Sequence, residues 1–455
     1  MAAERVGVFS NLPYKPQFAA LLAVALCAGM WFYVQKVQIP HQLADAAAHG
    51  KPRGNLSDLY PRWLGTRELL LHHRDPYSPE VTTEIQTGYY GRPLDPVRPN
   101  DPKDEQRFAY PVYVAFLLAP TIRLPFQSVE AGFRWFLVML TAGSVLLWLR
   151  VLRWRPSGWT MAAVVLLTLG NFPAAQAIKL QQLSLLVSGL IAGCAALLGA
   201  GYLFLAGVLL ALATIKPQIT LPLAAWLVFW SLSEWRTRQR FVWGFLVTMA
   251  VLLAAAQLIL PGWIGKFLAA ISAYRQYAAG QGSLLDFLLT PKWGTAVTAL
   301  LVLALAIVCW FTRRDSVESE GFVITLALVL TVTLVVLPMF APYNQLLLLP
   351  GLLLAWVHRR DLRRTGAGRL AYGVALVLIM WPWLSSAGLA LASLILPPAT
   401  VQRAWALPIY TSPGIPLIAL MLLILLVLQI LRYRRGTTNL PAARTPELAL
   451  PKGSG

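Results

Sequence analysis

Only a few side chains in this sequence set polarity into an apolar surrounding, and those are the ones with chemical potential. Asp58 lies at the start of a stretch, Ser57 to His73, in which Leu59, Trp63 and Leu70 fall on one side of a helix and Arg62, Thr66 and Arg67 elsewhere. A carboxylate in that position is either a general base or an acid held by the helix dipole in a first turn. Asp75 precedes Pro76 and Tyr77, a pattern for a turn in which the carboxylate accepts from nearby backbone. Lys179 is followed by Gln181 and Gln182, and Lys216 by Pro217 and Gln218, each group at the end of an apolar run. A proline break at membrane depth is tolerated where the opened backbone lines a cavity, so Lys216 and Gln218 are candidates for such a lining. Snorkelling is the plain reading of Lys179, and water binding that of the glutamines. Tyr343 and Asn344 either meet a ligand or cap a helix, and Asp286 is a reserve base. His72 and His73 have no cysteine partner and no i, i+4 spacing, so the expectation is no metal site and no cofactor, with a divalent ion left open.

The elements that position these residues are set by composition. Of 455 residues, 57% are hydrophobic and 13% charged, and the mean hydropathy is +0.61, more apolar surface than a soluble chain can hide. The reading is a single all-α polytopic membrane domain over residues 1–455. Twelve apolar runs are candidate spans: 17–36, 129–149, 159–175, 183–199, 201–216, 219–233, 241–260, 294–311, 321–340, 343–357, 370–395 and 413–431. The first is too long for a cleaved signal segment and is read as retained. Cys27, Cys194 and Cys309 each fall inside such a run, with no pairing pattern, and are read as packing residues.

A net charge of +19 invites a nucleic-acid reading, but the basic residues cluster in short links between apolar runs, which is a topology signal and not a nucleic-acid surface. The clusters at Arg150–Arg155, Arg236–Arg240, Arg313–Arg314, Arg359–Arg369 and Arg432–Arg435 all fall on one side if both termini are cytoplasmic. The same parity makes residues 110–126 an interfacial or half-inserted segment instead of a span. It leaves residues 37–128 as a large first external loop holding ten of the chain's 19 acidic residues, irregular in its Gly/Pro-rich part from Gly88 to Arg107, with Ser57–His73 as an amphipathic helix on the membrane surface. Residues 261–293 form a second external loop, and 436–455 a cytoplasmic tail.

The local patterns carry a family likeness. Asp58 with Tyr60, Arg62 and Trp63, then Arg74, Asp75, Pro76 and Tyr77, then Tyr110, Pro111, Leu117, Ala119 and Pro120, then Gln181 and Gln182, and finally Lys216, Pro217 and Gln218 resemble glycosyltransferase family 87. That family includes polyprenyl-phosphate-mannose-dependent α-mannosyltransferases of the C-type glycosyltransferase fold. The resemblance implies transfer of a sugar from a polyprenyl-phosphate donor to a lipid-linked or cell-envelope glycan acceptor, on the external face of the plasma membrane. It also implies Asp58 as the single base, with inversion at the sugar. The donor's phosphate needs cations near the lipid boundary, for which Lys216, Lys179, Arg62 and, in the second loop, Arg275 are candidates. Gln218, Gln181, Gln182, Tyr343 and Asn344 are candidates for sugar or phosphate contacts. The histidine expected of the mannosyltransferase branch near Ala341 to Gln345 is absent, which leaves the sugar open among hexoses and pentoses.

Two other classes fit a polytopic chain. An ion-coupled transporter needs ionisable groups at mid-membrane, but Glu234, Asp286, Asp315, Glu318, Glu320, Asp361 and Glu447 all fall in links or the tail. A lipid-linked glycan flippase, or a non-catalytic glycolipid-binding protein, is the remaining alternative.

Overall fold

The computed structural model describes residues 15–438 apart from 53, 55, 56, 96, 103, 278–281, 339 and 340. The side chains of residues 275–277 and 430–438 also lie outside the described set. Among the described residues the protein is entirely helical.

Every run expected to span is matched by a helix, but the helices differ in reach. Six are long and apolar enough to cross a membrane: Pro16–Ala48, Phe126–Val151, Trp235–Ile259, Pro291–Thr312, Gly366–Ala392 and the stretch Pro398–Gln429. The run expected over 159–175 is broken into Gly158–Leu169 and Phe172–Lys179, bent by 60°. Two features meet at the bend, one local and one distant in sequence. Asn171 caps the second helix by accepting from Ala174 N at 2.7 Å, and Gly170 packs so closely on Cys27 that a Cβ there would lie 2.5 Å from its Cα. Leu183–Gly199, Leu203–Ala213, Glu320–Val336 and Pro342–Val357 are shorter apolar helices. At about 1.5 Å per residue, 17 residues reach only about 26 Å, somewhat short of an apolar membrane core of about 30 Å.

The first helix continues past the expected end at 36 to Ala48. A π-turn over Tyr33–Gln38 absorbs the backbone bond that Pro40 cannot make. Residues 110–126 fold only into the short Val114–Leu118 helix and a 3₁₀ turn, Ala119–Thr121, too short to cross. As the Pro217 break implies, Leu203–Ala213 and Pro217–Ser233 are separate helices.

Three helices in the polar loops escape sequence periodicity: Pro79–Tyr90, Trp263–Tyr277 and Leu284–Leu289. The Ser57–His73 segment is helical over Tyr60–His72, but it buries Thr66 and Glu68 together with Trp63 and Leu69. Its packing is therefore within the first loop on both polar and apolar sides: Phe126 lies edge-on to Tyr60 at 4.9 Å, and Glu68 pairs with Arg74 at 2.9 Å.

Close helix packing is carried by glycine where backbones meet. A Cβ on Gly207 would lie 2.2 Å from Phe241 O, and one on Gly244 would lie 2.1 Å from Phe204 O. Small residues allow this approach where no hydrophobic gain drives helices together.

The basic links gather at one end of the bundle. Buried Arg238 donates to the carbonyls of Trp230, Arg313, Arg314 and Asp315 at 3.0 to 3.2 Å. Arg153 meets Glu318 at 2.8 Å, and His358 lies 3.3 Å from Glu320. The Phe126–Val151 helix, about 39 Å long at about 1.5 Å per residue, runs from the first loop at Phe126 to this basic end at Arg150.

Candidate active site

Opposite the basic end, three chain breaks converge. The first is the turn before the Tyr60–His72 helix, where Asp58 sits. Its backbone N donates to Leu180 O at 2.8 Å, fixing the loop to a second break, residues 180–182. There Gln181 adopts a left-handed φ of 48°, uncommon for a residue other than glycine. Its buried amide holds that conformation by donating to Ile178 O at 2.9 Å and Lys179 O at 2.8 Å. The turn leaves Gln182, buried, at the entrance of the Leu183–Gly199 helix. The third break is Thr214–Lys216, between Ala213 and Pro217. Tyr113 ties it to the first loop by donating to Thr214 O at 2.9 Å.

Gln182 joins the other two residues. Its amide nitrogen donates to the Asp58 carboxylate, and its Oε1 accepts from Lys216 Nζ at 3.1 Å. The ammonium also reaches Ser184 Oγ at 3.3 Å. It stands over the rings of Tyr343, at 5.0 Å, and Tyr110, at 6.0 Å, where ring faces favour a cation. Arg62 lies one helical turn beyond Asp58, donates to its backbone carbonyl, and sets its guanidinium 4.7 Å over the other ring partner, Tyr110. Among the described residues the buried Arg62 Nε has no hydrogen-bond partner.

Burial pushes the Asp58 carboxyl up to about 6, and the charge of Asp104 adds to the rise; Arg62, the Gln182 hydrogen bond and Lys216 oppose it. The Asp58 side chain caps no backbone N–H of the helix that follows. It is bound instead to a side chain 124 residues away. A carboxyl held near 6 is ionised at neutral pH yet a stronger base than an ordinary aspartate, the condition for taking a proton from a hydroxyl.

The second loop covers this group. Tyr274 OH lies 3.3 Å from Asp104 Oδ1, Lys266 pairs with Asp75 at 2.8 Å, and Trp263 meets Tyr113 edge-on at 5.8 Å. Asp75 makes the expected turn, accepting from Tyr77 N at 2.9 Å.

The remaining candidates are placed differently. Asn344 is buried next to Tyr343, and its Oδ1 has no hydrogen-bond partner among the described residues. Gln218 is exposed on its helix. Lys179 contributes its backbone carbonyl to Gln181. Asp286 closes a capping box with Ser283, accepting from its N at 2.7 Å and its Oγ at 2.8 Å. The side chain of Arg275 lies outside the described residues. His72 is bonded to Glu68 at 3.0 Å, and among the described residues no group of three His, Cys, Asp or Glu could hold a metal ion. Sequence reasoning missed Asp104, whose irregular, Gly/Pro-rich surroundings carry no periodic signal. It also missed Ser184, one of many serines on apolar helices.

The family model for glycosyltransferase family 87 matches residues 108–338, just over half of the chain. The chain belongs to glycosyltransferase family 87. The matched part of this membrane glycosyltransferase contains Tyr110, Gln182, Ser184 and Lys216 and begins after Asp58 and Arg62. No curated protein and no solved structure matches the chain.

Proposed function

We propose that this family 87 chain is a C-type glycosyltransferase that moves a hexose or pentose from a polyprenyl-phosphate donor to a hydroxyl of a glycolipid or glycan acceptor. The observation that carries this reading is the Asp58, Gln182 and Lys216 chain of hydrogen bonds with Arg62 alongside. It sets one carboxylate next to two buried or half-buried cations at a helix break.

The chemistry is balanced by one base. The acceptor O–H gives its proton to the Asp58 carboxylate as its oxygen attacks the sugar C1, on the face opposite the phosphate. The C1–O bond to phosphate breaks, and the polyprenyl phosphate leaves with the electron pair. Because a phosphate monoester is already a good leaving group, no second carboxyl is needed to protonate it, unlike glycoside hydrolysis. Lys216 and Arg62 offset the charge that builds on the departing phosphate. Tyr110 and Tyr343 fix the position of the ammonium, and the buried amides of Asn344 and Gln182 offer contacts to sugar hydroxyls.

The side of the membrane follows from charge. Short basic links stay on the cytoplasmic side during insertion, and these links gather one helix length from Asp58. That supports a site on the external face of the plasma membrane, with both termini cytoplasmic.

The test is transfer by the purified full chain in proteoliposomes, using polyprenyl phosphates carrying radiolabelled mannose, glucose, galactose or arabinose with extracted envelope glycolipids as acceptors. Labelled glycolipid and free polyprenyl phosphate, formed in equal amounts, are expected. Transfer from nucleotide sugars instead, or passage of an intact labelled donor across the bilayer without bond cleavage, contradicts the proposal.

A further inference from the structure

At the basic end, about one helix length from Asp58, a cavity of about 620 Å³ opens beside the last turn of the Phe126–Val151 helix. Its walls are of two kinds. Leu146, Leu149 and Met161 are apolar, while Arg150, Arg153 and Arg155 bring three guanidinium groups, with Trp154 between them. Among the described residues no carboxylate lines it.

The local sequence builds this shape. The helix ends at Val151; two residues on, Arg153 has a left-handed φ of 51°, and Arg153 N and Trp154 N return to Arg150 O and Leu149 O, each at 3.0 Å. That closure folds Trp154 back against the helix. Pro156 then turns the chain into the Gly158–Leu169 helix, which Ser157 caps by accepting from Thr160 N at 3.3 Å. The positive N-terminal end of that helix therefore adjoins the three arginines. Of the three, only Arg153 has a carboxylate partner among the described residues, Glu318 at 2.8 Å. Arg150 and Arg155 are exposed.

We propose that this cavity binds an acidic phospholipid, its phosphate on Arg150 and Arg155 and its acyl chains along Leu146, Leu149 and Met161. Concentrated positive charge with no acid in the lining selects an anion, and planar guanidinium groups suit phosphate oxygens. The adjacent apolar wall adds a component that a free anion does not use. A tryptophan at the boundary of the two matches the lipid interface, where an amphipathic ring is favoured. The volume is that of a small-molecule site. Nothing in this reading depends on the sugar chemistry proposed above.

The experiment is native mass spectrometry of the full chain in detergent, titrated with dioleoyl phosphatidylglycerol or dioleoyl phosphatidylcholine. Preferential retention of phosphatidylglycerol is expected. The Arg150→Gln, Arg155→Gln double variant should retain it about twenty-five-fold less, at about fivefold for each interfacial arginine. The Arg236→Gln, Arg240→Gln variant removes equal charge from exposed positions at the same end and should keep the preference. Thermal melting of both variants reports whether they are folded. Equal retention of the two lipids, or equal loss in both variants, overturns the proposal. Displacement of the lipid by millimolar inorganic phosphate overturns it too, since that identifies a soluble anion as the occupant.

Discussion

Lys216 reaches Asp58 through a single amide: Gln182 accepts from the ammonium at 3.1 Å and donates to the carboxylate from its other end. The two charged groups come from different breaks in the bundle, and neither is placed by its own helix alone. The amide orientation is fixed by its neighbours, because an ammonium only donates and an ionised carboxylate only accepts. Gln182 thus couples the residue proposed to bind phosphate to the one proposed to take the proton.

The coupling makes Gln182→Leu informative. The lost hydrogen bond is one of the influences holding the Asp58 carboxyl down, so its pKa should rise and the acid limb of the rate should move to higher pH. Transfer at saturating pH should fall about tenfold, for one charge-assisted hydrogen bond of about 1.5 kcal/mol. A pH profile of kcat/KM from pH 5 to 8 checks both effects.

Asp104 gives a shift of opposite sign. Its negative charge raises the Asp58 carboxyl, so Asp104→Asn should lower that pKa. In the wild type, kcat/KM should fall about tenfold per pH unit below the Asp58 pKa of about 6; in the variant this limb should begin at lower pH. The linked effect on folding has a stated direction as well. A carboxyl with a raised folded pKa binds protons more tightly in the folded state, so Asp58 opposes folding at neutral pH and this effect fades as pH falls from about 6 toward the ordinary aspartate value. Melting curves of Asp58→Asn and wild type at pH 5 and 7.5 should therefore differ more at pH 7.5, with the variant no less stable.

Lys216→Met keeps the length of the side chain and its packing between Tyr110 and Tyr343 but removes the charge. Donor KM should rise by about ten- to a hundred-fold, for about 1.5–3 kcal/mol of charge-assisted bonding. Lys216→Arg should not restore it, since a planar guanidinium does not fit the space of a compact ammonium. Steady-state kinetics with varied donor concentration separate this from an effect on kcat.

Gly207 and Gly244 set the approach of the Leu203–Ala213 and Trp235–Ile259 helices. Gly244→Ala should cost about 1–3 kcal/mol through the clash with Phe204 O, read as a lower melting temperature in detergent. Gly143→Ala, where an added Cβ meets nothing within 4 Å, should leave it unchanged.

Much of the fold was legible because lipid imposes one rule: apolar length. Helix positions followed from it, while the short 110–126 segment followed from the parity of the basic links and the break at Pro217 from proline itself. The bend at Gly170 did not, because it depends on Cys27, a residue far away in sequence. The loop helices were hidden because their partners are other parts of the loops. At the site, Asp58, Lys216, Gln182 and Arg62 were each recognisable as polar groups in unusual positions, and the structure brings these four together. Their connection was not legible, since a hydrogen bond across 124 residues leaves no local pattern. Gln218 is exposed, and Asp286 has a Ser283 partner three residues away that marks a helix cap, so neither is joined to these four by a hydrogen bond among the described residues.

The most direct test of the account is a single-turnover experiment on Asp58→Asn with radiolabelled polyprenyl-phosphate sugar, using the donor sugar that the wild type accepts. The variant should bind donor within about threefold of wild type, because Lys216 and Arg62, the residues proposed to hold the phosphate, are intact. Sugar transfer should be slower by about 10²–10⁴, the range for loss of a general base. Transfer at the wild-type rate by a folded variant would contradict the central claim that Asp58 takes the acceptor proton.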